Sequence, residues 1–215
     1  MMTPREFVRE IITRYHAARL PLYPHERVFR GGSRSVPSEA EDLLARYLIE
    51  RLPADARIYI NETITSVTDG ARVRIKPDLV VTRGEIIIAV LDLKMDLGYN
   101  RDTFPAFWRD RDERVRRLRG RRVVLKVDEA GDRLGREYDF GAATRFLFVL
   151  VSDLNISRER LKAILAMRGT MGCSDLFVLT GREHPNVYGL SVDEALDRIA
   201  VYEPEFAKLE EALKF

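Results

Sequence analysis

Asp78, Asp92 and Lys94 are the residues of this 215-residue chain whose types and spacing could do chemistry. They sit in residues 73–96, VRIKPDLVVTRGEIIIAVLDLKMD, among Val80, Val81, Ile86, Ile87, Ile88, Val90, Leu91 and Leu93. Such β-branched, apolar composition marks two adjacent strands packed on both faces. A carboxylate in a strand of that kind loses its hydration and has to be compensated by a cation or by hydrogen bonds. Two carboxylates together need a shared counter-ion still more, because like charges in a dry site do not both stay ionised unaided. A divalent metal that prefers hard oxygen donors meets the need, and a nearby ammonium then has a task in holding or activating a water.

Geometry puts a condition on this reading. Asp92 and Lys94 are two residues apart and share a face of their strand. If Arg83-Gly84 were a two-residue hairpin loop, Asp78 would lie opposite Ala89 and the two carboxylates would fall on opposite faces. A three-residue loop, Arg83-Gly84-Glu85, would pair Asp78 with Val90 and restore the parity, as would a bulge or local twist. Metal binding therefore demands an odd loop or a bulge.

Lys76-Pro77-Asp78, then thirteen residues, then Asp92-Leu93-Lys94 resembles the motif of the PD-(D/E)XK nuclease superfamily, the fold of type II restriction enzymes, Holliday-junction resolvases and many repair nucleases. The intact Pro-Asp, the two hydrophobic strands and a glutamate-bearing helix upstream carry the resemblance over about residues 36–100; beyond that it rests on pattern. It implies an α/β fold with a restriction-endonuclease-like αβββαβ core, a mixed β-sheet flanked by helices. It implies that Asp78 and Asp92 bind Mg²⁺ (or Mn²⁺), helped by the carbonyl of Leu93, and that Lys94 positions or deprotonates the attacking water. The first core helix of the superfamily often supplies a further acidic ligand, for which Glu41 is the candidate and Glu39 the second choice. Without a family, Asp92–Lys94 reads as a salt bridge on an edge strand, with Asp78 a turn residue after proline. The chain has no glutamine, so the glutamine-and-tyrosine motif of one superfamily branch is absent, and no resolvase-specific motif is evident.

The elements that must position these groups follow in order. Residues 3–20 predict a helix, with Thr3 as cap, Pro4 at the first position, Glu6 completing a capping box, and Phe7, Ile11, Tyr15 and Ala18 at helical spacing. It is expected as an N-terminal addition over residues 1–30. Residues 30–36, RGGSRSV, read as a basic loop in which Arg30 and Arg34 could reach phosphates, although it lacks the lysine and spacing of a P-loop. Residues 38–52 predict a helix with Leu43, Leu44, Tyr47 and Leu48 as its apolar stripe. Ser38-x-x-Glu41 also reads as a capping box, so Glu41 has two uses open to it. Residues 57–66 predict the first strand, with Glu62 facing solvent, and Thr68-Asp69-Gly70 the turn into the second.

After Lys94, Asp96 keeps the parity of Asp92 and points into or beside the cleft. Residues 104–118 predict a helix packed through Phe104, Phe107, Trp108, Val115 and Leu118. From Arg109 to Arg122 there are eight arginines and three acids, five positive charges net in a chain whose total is +2. Asp110–Arg114, Asp112–Arg116 and Glu113–Arg117 are spaced as i,i+4 ion pairs of a solvated face. The local excess nevertheless makes this segment the main phosphate-binding candidate, with Arg101, Arg114 and Arg117 as contacts beside Arg30 and Arg34. Residues 122–127 and 137–140 read as a hairpin insertion about a Gly-Asp turn, and residues 145–152 as a separate central strand. A helix capped by Asn155 or Ser157 and a strand over 175–180 complete the core (residues 36–180). Ser191-x-x-Glu194 and Pro204 open two C-terminal helices over residues 190–215.

Composition sets outer bounds. One cysteine, Cys173, leaves no intrachain disulfide or cysteine-cluster zinc site, and the three histidines show no ligand spacing. No apolar run approaches a membrane span and the N-terminus lacks a signal-peptide pattern, so a cytoplasmic protein is expected, as one domain over residues 1–215 with no membrane partner. The reading is a metal-dependent DNA endonuclease of restriction/defence or repair/recombination type, acting on double-stranded or branched DNA as a homodimer. A non-catalytic nucleic-acid-binding protein on the same fold, or an RNA nuclease, is the alternative.

Overall fold

The apolar run that carries Asp92 forms a nine-residue strand at the heart of a mixed sheet flanked by helices. A computed structural model describes residues 1–214 apart from 24, 28, 31–33, 69, 130 and 131, and the side chains at 68, 71, 99, 127–129, 132 and 133. The glycine pair of the expected basic loop, Asp69 of the first turn and Gly131 of the second therefore lie outside the described residues. The helices are α1 (Pro4–Ala18), α2 (Pro37–Ile49), α3 (Phe104–Leu118), α4 (Arg158–Ala166), α5 (Val192–Arg198) and α6 (Glu203–Glu211). The strands are β1 (Ala56–Ile60), β2 (Ile64–Thr68), β3 (Ala71–Ile75), β4 (Leu79–Arg83), β5 (Ile86–Lys94), β6 (Arg121–Glu129), β7 (Asp132–Ser152), β8 (Ser174–Gly181) and β9 (Ala200–Val201).

Strand order runs β1-β4-β5-β7-β6-β2-β3, with β8 on the other partner side of β7 and β9 beyond it. The two long strands expected over residues 57–82 are each broken near the middle. Asn61 (φ +58) interrupts one, and Pro77, which has no N–H to give a ladder, interrupts the other. As a result β1 pairs with β4, while β2 and β3 swing away as a hairpin in which β2 pairs with β6 and β3 with β2. The Asn61 N–H donates to the Asp78 carbonyl at 2.7 Å, tying the two breaks side by side.

The parity condition is met by a bulge, not by a longer loop. Arg83 pairs with Ile86 around a two-residue turn, Gly84-Glu85, with Gly84 at φ +56 in the position where a type II′ turn calls for glycine. The register then shifts between Val81 and Thr82: Thr82 faces Ile87, whereas Val81 faces Ala89, leaving Ile88 as the extra residue. Leu79 consequently pairs with Leu91, and Asp78 continues that register opposite Asp92.

β7 differs from the two separate strands expected. It is one 21-residue strand whose first part pairs antiparallel with β6 and whose last part lies parallel between β5 and β8. Where the two parts meet, a Cβ on Gly141 would come within 3.2 Å of the Ile87 carbonyl, and Thr144 donates its hydroxyl to that same oxygen at 2.6 Å. The passage β5–α3–β7 is thus a parallel crossover with α3 on one face of the sheet.

Alternation along the strands feeds two cores. Leu79, Val81, Ala89, Leu91 and Leu93 pack under α1, α2, α5 and α6. Val80, Val90, Phe146, Phe148 and Leu150 pack under α3 and α4 with Trp108 and Phe104. Asp78, Asp92 and Lys94 share parity with Val80 and Val90 and so belong to the α3 side. The capping box of α1 forms as its sequence predicts, as does that of α5 from Ser191 and Glu194, and Ser157 caps α4.

α3 spans the residues expected, yet its charges are used differently. Asp110–Arg114 forms, but Glu113 pairs with Arg116. Asp112 is buried and accepts from the N–H groups of Gly172 and Cys173 (3.1 and 2.9 Å) and from the Ser174 hydroxyl (2.6 Å), with Trp108 Nε1 donating to Ser174 Oγ at 2.7 Å. The i,i+4 spacing could not show that the β8 approach already claims Asp112.

Candidate active site

Asp78 and Asp92 are held by each other's strand. The Asp78 N–H donates to Asp92 Oδ1 at 3.2 Å, and the Leu93 N–H donates to Asp78 Oδ2 at 2.7 Å. Lys94 Nζ stands 3.7 Å from Asp78 Oδ2. Side-chain exposure rises from 2% at Asp92 through 17% at Asp78 to 34% at Lys94, so Asp92 lies deepest of the three and Lys94 opens the site to solvent. They gather at the C-terminal end of β5, where it runs parallel to β7.

Burial, and then repulsion from Asp78, push the Asp92 carboxyl up to about 6, against the pull of Arg111, Lys94 and the Asp78 N–H. Arg111, from α3, brings Nε to 3.5 Å from Asp92 Oδ2 and stacks its guanidinium 5.0 Å from the Phe107 ring centroid. Nothing in the sequence separates Arg111 from the seven other arginines of its segment; only the helix's rotation against β5 does.

Glu41 reaches the same cleft from α2, in the opposite layer. The Ser38 capping box does not form: α2 is capped by Val36 without a side-chain bond, and the nearly buried Glu41 accepts from Asn61 Nδ2. Burial and then Asp78 raise its pKa, while Asn61 and Lys94 lower it. Asn61, passed over in the sequence, therefore joins α2 to the break beside Asp78 by both its side chain and its N–H. Glu39 instead lies 3.7 Å from Arg14. Glu62, expected to face solvent from a strand, sits in the β1–β2 connection with Oε2 buried and no hydrogen-bond partner among the described residues.

A cavity of about 520 Å³ opens beside Lys94, bounded by the end of β5, the 3₁₀ turn Gly98–Asn100 and the start of α3. Asp96 lines it. Its carboxylate lies 3.1 Å from His184 Nε2 and accepts from Asn155 Nδ2 at 2.8 Å; His184 is the main influence holding its pKa below the ordinary range. A larger cavity of about 550 Å³ between α2 and α6 is lined by Leu48, Ile88 and Leu213 and contains none of the cleft residues.

The expected phosphate contacts are scattered. Arg101 is exposed beside Asp96 and donates to the Asn155 carbonyl at 3.3 Å. Arg114 pairs with Asp110 and reaches the Arg74 carbonyl at 3.4 Å. Arg117 is exposed and makes no ion pair among the described residues. Arg30 is exposed, whereas Arg34 donates to the Ala17 carbonyl at 3.1 Å and closes the end of α1.

The donor set suits a hard divalent cation: two carboxylates, one almost fully buried and resisting ionisation, beside the backbone of Leu93. Among the described residues no group of three or more His, Cys, Asp or Glu side chains is drawn together tightly enough to hold a metal. Comparison with protein-family models, with curated proteins and with solved structures gave no significant match.

Proposed function

We propose that the chain is a divalent-metal-dependent nuclease of the PD-(D/E)XK type that hydrolyses phosphodiester bonds of DNA. The observation that carries the reading is the juxtaposition of Asp78, Asp92 and Lys94, brought together in matched parity by the β4–β5 pairing, with a cavity opening beside Lys94. Supporting it, α2, β1, β4, β5, α3 and β7 follow one another in an αβββαβ sequence once β2, β3 and β6 are taken as insertions, and Glu41 comes from the helix expected to supply an extra acid.

Asp78 and Asp92 would hold Mg²⁺ or Mn²⁺ with the Leu93 carbonyl. When bound, the ion supplies Lewis-acid polarisation of the phosphoryl oxygen and a water of lowered pKa. Lys94, the most exposed of the three, orients the attacking water or meets the charge that builds on the phosphate. Arg111 shares the charge of Asp92 from behind and keeps that carboxylate turned toward the cleft. Asn61 aims Glu41 at the same region. Cutting both strands of a duplex would take two such clefts, hence a pair of chains, which sedimentation would read directly.

The test is incubation with plasmid, single-stranded and branched DNA and with RNA, in Mg²⁺, in Mn²⁺ and in chelator. Cleavage that needs the cation and disappears in Lys94→Ala while binding persists is the expected result. Equal cutting by the variant would remove Lys94 from the mechanism. Failure to cut any of these polymers would end the nuclease reading, and cutting of RNA alone would move the substrate to RNA.

A further inference from the structure

The cavity beside Lys94 has a chemistry that a phosphate track would not have. Phe104, Phe107 and Leu97 give it apolar and aromatic walls, and its charged groups other than Lys94 are two carboxylates, Asp96 and Asp110. Those acids repel a phosphate. They accept hydrogen bonds well, however, and an aromatic wall offers a stacking surface to any flat ring. The volume, about 520 Å³, lies in the range of clefts that bury small ligands, roughly 300–1,000 Å³. Lys94 lines it, Arg114 pairs with its Asp110 at 2.8 Å, and Arg101 lines an adjoining hollow of about 440 Å³ that shares Asp96, Leu97 and Asn100.

An apolar, acceptor-bearing pocket with a lysine in its lining and an arginine in the adjoining hollow matches one nucleotide of a strand, its ring inside and its flanking phosphates outside. We propose that this cavity takes a single unstacked base next to the phosphate at Lys94, and that the substrate is single-stranded or locally opened nucleic acid. A base paired and stacked within an intact duplex cannot enter such a pocket without leaving the helix. The inference rests on the nuclease reading only for the phosphate at Lys94; the pocket itself can be tested without catalysis.

Short single-stranded DNA oligonucleotides, each with one abasic position walked along the strand, would be titrated in chelator by fluorescence anisotropy and cut in Mg²⁺. Three proteins are compared: the wild type, Phe107→Ala, and Ala106→Trp, which fills the cavity from an exposed helix position. Stacking of one base is worth about 1–3 kcal/mol, so each variant should bind the intact strand about 5- to 150-fold more weakly. One abasic position should cost the wild type a similar factor and cost Ala106→Trp nothing further. Variants that bind like the wild type, or an abasic scan with no sensitive position, would overturn the pocket, and so would no binding of any strand. A sensitive position without cleavage in any cation would leave the pocket standing and remove the nuclease reading. Duplex cleavage undisturbed in Ala106→Trp would do the reverse.

Discussion

At the scale of single residues, Asp92 is where stability and the proposed metal binding pull apart. An acid whose pKa is raised from 3.8 to about 6 is protonated in the native state across a window where the unfolded chain has already lost its proton. The metal-free wild type must therefore lose stability from this group as pH rises from about 4 to about 6, and its ionised form then costs on the order of 3 kcal/mol, at about 1.4 kcal/mol per pH unit. Asp92→Asn keeps an oxygen for the Asp78 N–H and removes the charge. In chelator at pH 8 its unfolding free energy should exceed the wild type's by about 1–3 kcal/mol, a gap that closes as pH falls below 4. Denaturant titrations across that range check it, and a less stable variant at pH 8 would mean Arg111 already neutralises the carboxylate. Asp78, Asp92 and Lys94 were legible because charges inside a β-branched run are costly and few. Arg111 and Asn61 were not. An arginine among eight and an asparagine next to a strand end look the same whether or not they touch the cleft, and only the packing of α3 and the break in β1 distinguish them.

At the scale of elements, α3 has to be held at one rotation and one height for Arg111 to meet Asp92. Asp112 does much of the holding, by taking two N–H groups and a hydroxyl from the start of β8. Burial alone would raise its pKa, but those donors outweigh burial and keep it below the ordinary value. Asp112→Ala would strand the buried Cys173 N–H and leave the buried Ser174 hydroxyl without its acceptor, each worth about 1–3 kcal/mol, so a loss of about 2–6 kcal/mol is expected. Thermal unfolding should record it, and a loss below about 1 kcal/mol would show that water replaces the carboxylate. The helices were largely legible because caps and apolar stripes are local signals, and α1, α3 and α5 begin where their sequences place them. The strands were less so. The breaks at Asn61 and Pro77 and the continuity of β7 depend on which strands lie alongside, which no local window contains.

At the scale of the whole molecule, a net charge of +2 leaves nucleic-acid attraction to the way cations are distributed. Of the arginines on α3, several are spent within the fold: Arg111 on Asp92, Arg114 on Asp110 and Arg116 on Glu113. Arg109 and Arg117, both exposed and without an ion pair among the described residues, have most to give to a phosphate. Arg117→Glu should weaken DNA binding across sequences alike and reduce the slope of log affinity against log salt by about 1, the value of one phosphate contact. An unchanged slope would return this face of the helix to solvent. Among the described residues no helix is long and apolar enough to cross a membrane.

The extra residue at Ile88 carries a consequence for chain length. If β5 lost that single position, the strand could keep its apolar composition and the Gly84-Glu85 turn could stay intact, yet Asp92 and Lys94 would rotate half a turn toward the layer of α2 while Asp78 stayed behind. Asp78, Asp92 and Lys94 would all still be present, yet no longer together. An insertion or deletion that hydrophobicity alone would pass as harmless would, in this hairpin, dismantle the grouping on which the proposed activity rests. Any chain to be matched with this one should be compared first by the odd or even count of residues between its two acids.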